Sequence, residues 1–536
     1  MNIKKTSQLN GQTRVWTGSP SDIQYSPPEI QSALRDLDSS LYILEHSGKI
    51  GLTRTGDSAS PSSGITGIPI LAFTNTISPD QFGAPSFRSF HNVRYPYMAG
   101  SMANGISGED FVIALGKAGI LSSFGAGGLS PGKLEAAIHI IQDALPKGPY
   151  AFNLIHSPNE PALEQKAVEL YLKHGVKTVE ASAFLRLTPP LVQYRVAGLR
   201  RDQQGSVVAD NKVIAKLSRR EVALQFLNPA PEKLLTPLLS EGEITPEQAE
   251  MARFVPMADD ITVEADSGGH TDNRPLTSLL PSLLTLRDEQ MEKHQYPNQV
   301  RMGAAGGIGT PTSTLGAFTM GADYVVTGSI NQGCLEANTS QRVKELLAEA
   351  ASTDVMMAPA ADMFEMGVNV QVLKRGTMFP MRAKKLYHIY ENHQSMEEFS
   401  PETRKELENR IFQRDLGEIW EDCVSFFQER DPTQIERARH NPKRKMALIF
   451  RWYLGLATHW GIQGVPNRAF DYQIWCGPAM GAFNDWTHNT FLAEPARRNV
   501  VQVAEALLKG AAYQHRLYDL KLQGLTFPAQ WSKRIT

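Results

Sequence analysis

The chain has 536 residues, too many for one minimal domain and enough to bury a large core. Its 54 Lys and Arg stand against 56 Asp and Glu, a net charge of −2, which excludes a generally basic nucleic-acid binder and an acidic tail protein. With 41% hydrophobic and 21% charged residues it reads as an ordinary soluble globular chain, and its most apolar run, Met446–Ala457, contains Arg451 and falls short of the ~20 residues a membrane span needs.

The opening stretch has two lysines but no apolar run behind them, so no secretory signal is expected. Cys334, Cys423 and Cys476 lie far apart with no CxxC, which points to a reduced, cytoplasmic setting and away from a catalytic thiol. Residues 1–90 read as a lead-in module with a helical segment over Pro28–Glu45 and a flexible Gly/Ser/Pro-rich link, Gly56–Gly64.

From residue 91 to 347 short apolar runs alternate with Gly-rich turns and helix-like segments. The runs are Tyr97–Gly100, Gly119–Phe124, Tyr150–Leu154, Val176–Ala181, Val213–Leu217, Ile261–Ala265, Val300–Ala305 and Tyr324–Thr327. Eight such runs predict an α/β fold, a (β/α)8 TIM barrel, with the excursion at 218–260 as an inserted cap. Residues 348–536 carry helical periodicity over Pro401–Gln413, Leu416–Glu429, Pro442–Gly455 and Pro495–Leu520, and read as a C-terminal helical subdomain. Its tryptophans, Trp420, Trp452, Trp460, Trp475 and Trp486, fit core positions better than a partner surface.

No P-loop, HExxH or GxSxG motif occurs, and the glycine runs at Gly125 and Gly307 lack the last glycine of GxGxxG. His388 and His393 are five apart, off a shared helix face, so no metal is expected. Two features carry a mechanism instead. Ala305-Gly-Gly307 and Thr327-Gly-Ser329 end the seventh and eighth predicted strands, where (β/α)8 barrels commonly bind phosphate through glycine N–H groups. Ser267-Gly-Gly-His270 follows the sixth strand, which places His270 at the catalytic rim either as a general acid or as a group that orients a cofactor or loop. Gly100, Ser101 and Met102 offer a flat wall after the first strand, and Asn153, Glu180 and Lys216 end the third, fourth and fifth. Together these are the polar and flat surfaces a flavin ring needs.

Met98-Ala-Gly-Ser-Met102, Asn153-Leu154, Ser267-Gly-Gly-His-Thr271, Ala304-Ala-Gly-Gly-Ile308 and Gly321-Ala-Asp…Thr-Gly-Ser329 resemble the FMN-dependent barrel superfamily of nitronate monooxygenases and FabK-type enoyl-ACP reductases. Val372–Pro380 and Trp475–Trp486 resemble one branch, the PfaD-type trans-acting enoyl reductases of polyunsaturated fatty acid and polyketide synthases. The resemblance implies that FMN lies on Gly100, Ser101 and Met102, with Asn153 and Lys216 at its polar edge or ribityl chain and Gly268 and Gly269 beside it. It implies that Ala305, Gly306, Gly307, Thr327, Gly328 and Ser329 hold the phosphate, and that His270 is catalytic. Ser329 stands where the superfamily commonly has threonine, and Asp266 where it has another small or acidic residue. The implied reaction uses NADPH or NADH to reduce an enoyl thioester on acyl carrier protein. A nitronate monooxygenase-like oxidoreductase and a non-catalytic synthase scaffold are the alternatives, and a homodimer is the default assembly. Lys374, Arg375, Arg382, Lys384 and Lys385 form a basic cluster that fits a carrier-docking site or a solvated charged face.

Overall fold

The computed structural model describes residues 3–5, 14–60, 64–158 and 160–531. At its centre eight parallel strands close into a barrel: Tyr97–Ala99, Leu121–Phe124, Ala151–Ile155, Thr178–Ser182, Lys212–Leu217, Asp260–Glu264, Arg301–Ala305 and Tyr324–Thr327, the eighth pairing back onto the first. Each apolar run predicted from the sequence lies on one of them. Helices cover the outside and side chains fill the inside, so strands such as Leu121–Phe124 and Arg301–Ala305 are buried at every position.

The closed floor of the barrel, at the amino ends of the strands, is tied by charge. Arg301 grips the Asp260 carboxylate through Nε at 2.5 Å and Nη2 at 2.9 Å, and His91 Nε2 lies 2.9 Å from the same group. Burial opposes the Asp260 charge, but Arg301 and His91 outweigh it and hold its pKa down at about 2. The opposite rim is thereby left for chemistry.

The 218–260 segment does not cap that rim. It forms Arg220–Leu227, Glu232–Ser240 and Pro246–Met251, and the last two pack on the flanking helix Pro189–Ala197, burying Leu235 and Leu238. None of its residues lines the cavity at the mouth. The cover comes from farther along the chain. Residues between Ala358 and Ala457 build a second hydrophobic core, under a three-stranded antiparallel sheet of Gly269–His270, Asn369–Leu373 and Val355–Pro359.

The rest of 348–536 leaves that subdomain. The helix Val500–Leu522 packs against the barrel helices Pro311–Thr319 and Glu109–Lys117, and Leu525–Thr526 pairs with Lys4–Lys5. The N-terminal module is built on a five-stranded antiparallel sheet, against which the helix Pro27–Arg35 packs. The second half of the expected helix over Pro28–Glu45 is instead the strand Leu41–His46, because the Asp36–Ser40 stretch ends the helix and Leu41, Ile43 and Leu44 bury in the sheet. In the expected link, Asp57–Ala59 is an edge strand and Pro61–Ser63 lies outside the described residues.

Arg516 joins the module to the last helix. It is fully buried, and its guanidinium donates to the carbonyls of Leu34, Asp36, Leu37, Ser39 and Asn75. Arg516→Met keeps the stem but strands these acceptors in the interior, and is expected to cost about 3 kcal/mol or more. A lowered urea midpoint with an unchanged denaturant slope is the expected reading, and an unchanged midpoint would refute it.

Candidate active site

The carboxyl ends of the strands converge on a cavity of about 680 Å³. All fourteen residues named from the sequence, His270 and the thirteen cofactor candidates, lie on its wall. Glu180, at the fourth strand, is fully buried beneath them and accepts the Ser101 N–H at 2.9 Å, which sets the first-strand loop. Asn153 spends its amide nitrogen on the Glu180 carbonyl at 3.0 Å and the Ser182 hydroxyl at 2.6 Å, leaving its carbonyl oxygen as the group it can offer a ligand. Lys216 Nζ lies 3.5 Å from Glu264 Oε1. Burial opposes the lysine charge, yet Glu264 and Glu180 outweigh it and raise the Lys216 pKa, so it stays an ammonium.

The loop that carries His270 is held from the C-terminal side. Gly269 and His270 pair with Gln371 and Val370, and the Gln371 amide donates to Asp266 Oδ1 at 2.6 Å and to the Ser267 carbonyl at 2.7 Å. At Gly268 a side chain has no room, since a Cβ would sit 2.8 Å from the Cys476 nitrogen. His270 Nε2 meets Asp362 Oδ1 at 3.2 Å, and both side chains retain 29% exposure at the cavity wall. Burial works against an imidazolium there, but Asp362, with Glu264 behind it, more than offsets burial and raises the His270 pKa. Asp362 is correspondingly lowered, burial being outweighed by His270. Asp362 thus orients the His270 ring and favours its charged form.

After the next strand of the barrel, Gly306 and Gly307 take φ of +87° and +73°, which favours glycine. The backbone N–H groups of Gly306, Gly307 and Gly328 find no acceptor among the described residues, and a Cβ at Gly307 or Gly328 would meet nothing within 4 Å. Ser329 Oγ accepts the Gly477 N–H at 2.9 Å and keeps its own proton to donate. The Thr327 hydroxyl is bound inward to Tyr97 and Asn331, at 2.5 and 2.9 Å, so Thr327 contributes shape to this wall.

Residues 85–398 match the family model described as nitronate monooxygenase. The chain belongs to the nitronate monooxygenase family. Residues 16–75 match the fatty acid synthase subunit PfaD N-terminal domain, which sets this nitronate monooxygenase-family chain in the PfaD branch. Residues 393–472 match the inserted helical domain of acyl-carrier-protein S-malonyltransferase. The chain is 47% identical, over 92% of its length, to a polyunsaturated fatty acid synthase polypeptide of a Thraustochytrium species, of which it spans 33%. It is 46% identical, over 86% of its length, to the polyketide biosynthesis protein PksE of Bacillus subtilis, of which it spans 59%. The crystal structure of the enoyl reductase domain of MlnA, from the macrolactin biosynthesis cluster of Bacillus amyloliquefaciens, is 40% identical and covers 83% of this chain and 99% of its own, with a TM-score of 0.78.

In this PfaD-branch barrel, sequence reasoning missed the group that sets His270. Asp362 lies 92 residues from it in sequence, beyond any local spacing signal. The sequence predicts the C-terminal helices, but not that they cover the mouth or that Phe426, Arg451, Trp452 and Trp475 complete the cavity wall. All five tryptophans pack against the hydrophobic cores, and Trp452 and Trp475 also face the cavity. Arg430 braces the cover to the barrel by a two-point contact with Glu160, at 2.8 and 3.2 Å. The basic cluster is largely neutralised: Arg382 pairs with Asp471, Lys385 with Glu406, and Arg375 lies 3.6 Å from Asp354. Cys423 and Cys476 are buried and pushed up to about 12, which leaves neither a nucleophile. Away from the cavity Glu135, His139 and His174 gather within ligand reach of one another, with Lys173 already on Glu135 at 2.7 Å. Among the described residues no helix is long and apolar enough to cross a membrane.

Proposed function

We propose that the protein is a trans-acting enoyl reductase of a polyketide or polyunsaturated fatty acid synthase. It would reduce the α,β double bond of an enoyl thioester on acyl carrier protein, using FMN and NADPH or NADH. One observation carries the reading: His270, ion-paired to Asp362, shares one cavity with a glycine cradle whose N–H groups find no acceptor among the described residues. The polyunsaturated fatty acid synthase subunit and the polyketide biosynthesis protein among the relatives, and the enoyl reductase domain of MlnA, support it.

The donor set fits FMN. The N–H groups of Gly306, Gly307 and Gly328 and the Ser329 hydroxyl suit a phosphate. Gly100, Ser101 and Met102 offer the ring wall, with Asn153 and the Lys216 ammonium at its polar edge. FMN, held by these groups, would supply the hydride chemistry that links the nicotinamide to Cβ of the thioester. His270 gives its Nδ1 proton to Cα, while Asp362 accepts from Nε2, holds the ring in place and favours its charged form. Trp452 and Trp475, on the cover, keep water from the reacting carbon.

The test is anaerobic: NADPH is mixed with the yellow protein, and a crotonyl thioester on a carrier protein is then added. Bleaching followed by return of colour on adding the thioester is the expected result. Return of colour only with oxygen would point to a nitronate monooxygenase-like oxidoreductase. A colourless protein that cannot be reconstituted with FMN would sink both and favour a scaffold.

A further inference from the structure

We propose that Arg451 anchors a second anion site, separate from the glycine cradle, which takes a phosphate group of an elongated ligand entering the cavity. Arg451 stands midway along the helix Pro442–Gln463, lines the cavity, and keeps only 10% side-chain exposure. Arg444, two turns earlier on the same face, points Nη1 at the carboxylate oxygen that Arg451 also uses: both lie 3.4 Å from Glu365 Oε1. Two guanidinium groups thus share one oxygen of one carboxylate. Glu365 Oε2 and Arg444 Nε have no hydrogen-bond partner among the described residues.

The other charged groups nearby do not restore balance. Asp362 also feels Arg451, but its ion-pair partner is His270. Burial lowers the Arg444 pKa, and Arg451 and Arg437 lower it further against the single opposing carboxylate of Glu365. A surplus positive charge in a nonpolar wall is costly without a counter-ion, and the cavity is the open side from which one can come. A guanidinium fork matches the oxygens of a phosphate.

This inference rests on the proposed reaction for its two sources of phosphate, the diphosphate of the nicotinamide nucleotide and the phosphate of the carrier's pantetheine arm. Both ligands must pass through this cavity, and the glycine cradle already serves the flavin. Binding to the FMN-loaded protein is measured without turnover, by calorimetric titration with NADP⁺ and with S-crotonyl pantetheine carrying or lacking its terminal phosphate. Arg451→Gln is expected to weaken one phosphate-bearing probe by about tenfold or more, leaving the unphosphorylated thioester and the flavin content unchanged. Weakened NADP⁺ binding assigns the site to the nucleotide, and weakened phosphopantetheine binding assigns it to the carrier arm. Equal affinity of wild type and Arg451→Gln for both probes overturns the proposal. Should Arg451→Gln not fold, the wild type still decides. Equal binding of the two pantetheine thioesters, together with NADP⁺ binding indifferent to salt, would also overturn it. A missing enoyl turnover would fail the reaction above and leave these binding results standing.

Discussion

Replacing His270 with alanine is expected to lower enoyl turnover by about 10²–10⁴-fold, the range that a positioned general acid contributes, while the protein keeps its flavin. The expectation comes from the ion pair to Asp362 at 3.2 Å and from the place of both groups on the cavity wall. The pH profile separates a proton donor from a merely structural histidine. His270 has a raised pKa, so the active imidazolium is present below that pKa, and turnover falls as pH rises through it. In Asp362→Asn the main raising partner is gone and burial, which lowers the pKa, is left to dominate. The alkaline fall of kcat should then move to lower pH, with the flavin still bound. A profile that stays in place in Asp362→Asn, or full turnover in His270→Ala, would remove the pair from catalysis.

Gly306→Val is expected to abolish flavin binding and turnover together. The residue takes φ of +87°, which a β-branched side chain tolerates poorly, and a Cβ there would stand 2.6 Å from the Ala265 carbonyl carbon. Relief of that contact must move the backbone whose N–H groups form the cradle. The flavin-to-protein ratio measured after gel filtration should fall below about a tenth of the wild-type value, with the far-ultraviolet circular dichroism retained. Gly316→Ala serves as the control, because Gly316 lies in the helix that follows the cradle and its Cβ would meet nothing within 4 Å. It should keep the flavin and gain slightly in stability from the better helix former. Full flavin occupancy in Gly306→Val would show that the phosphate sits elsewhere.

The relation of sequence to structure differs from element to element. The barrel strands were legible because each is a short apolar run followed by a glycine turn and a helix, a pattern carried within a few residues. Leu41–His46 was misread because a short run of large apolar residues following a helix looks like its continuation. Only pairing with Lys49–Thr53 and Ile68–Thr74 makes it a strand. The basic cluster left two readings open for a related reason. A run of Lys and Arg is visible in sequence, whereas its partners Asp471, Glu406 and Asp354 come from other elements.

By itself the sequence determined the number and order of the barrel strands, the glycines of the cradle and the place of His270 at the rim. These rest on local periodicity, on backbone conformations open to glycine, and on the rule that strand ends form the mouth. Tertiary structure alone decided which carboxylate pairs with His270, that 218–260 lies on the flank, and that the helical subdomain closes the cavity. It also decided that the last helix returns to the N-terminal module through Arg516, more than four hundred residues from the carbonyls it holds. The physical reason is common to these cases: burial and ion pairing depend on distance in space, and they join residues whose separation along the chain leaves no periodic trace.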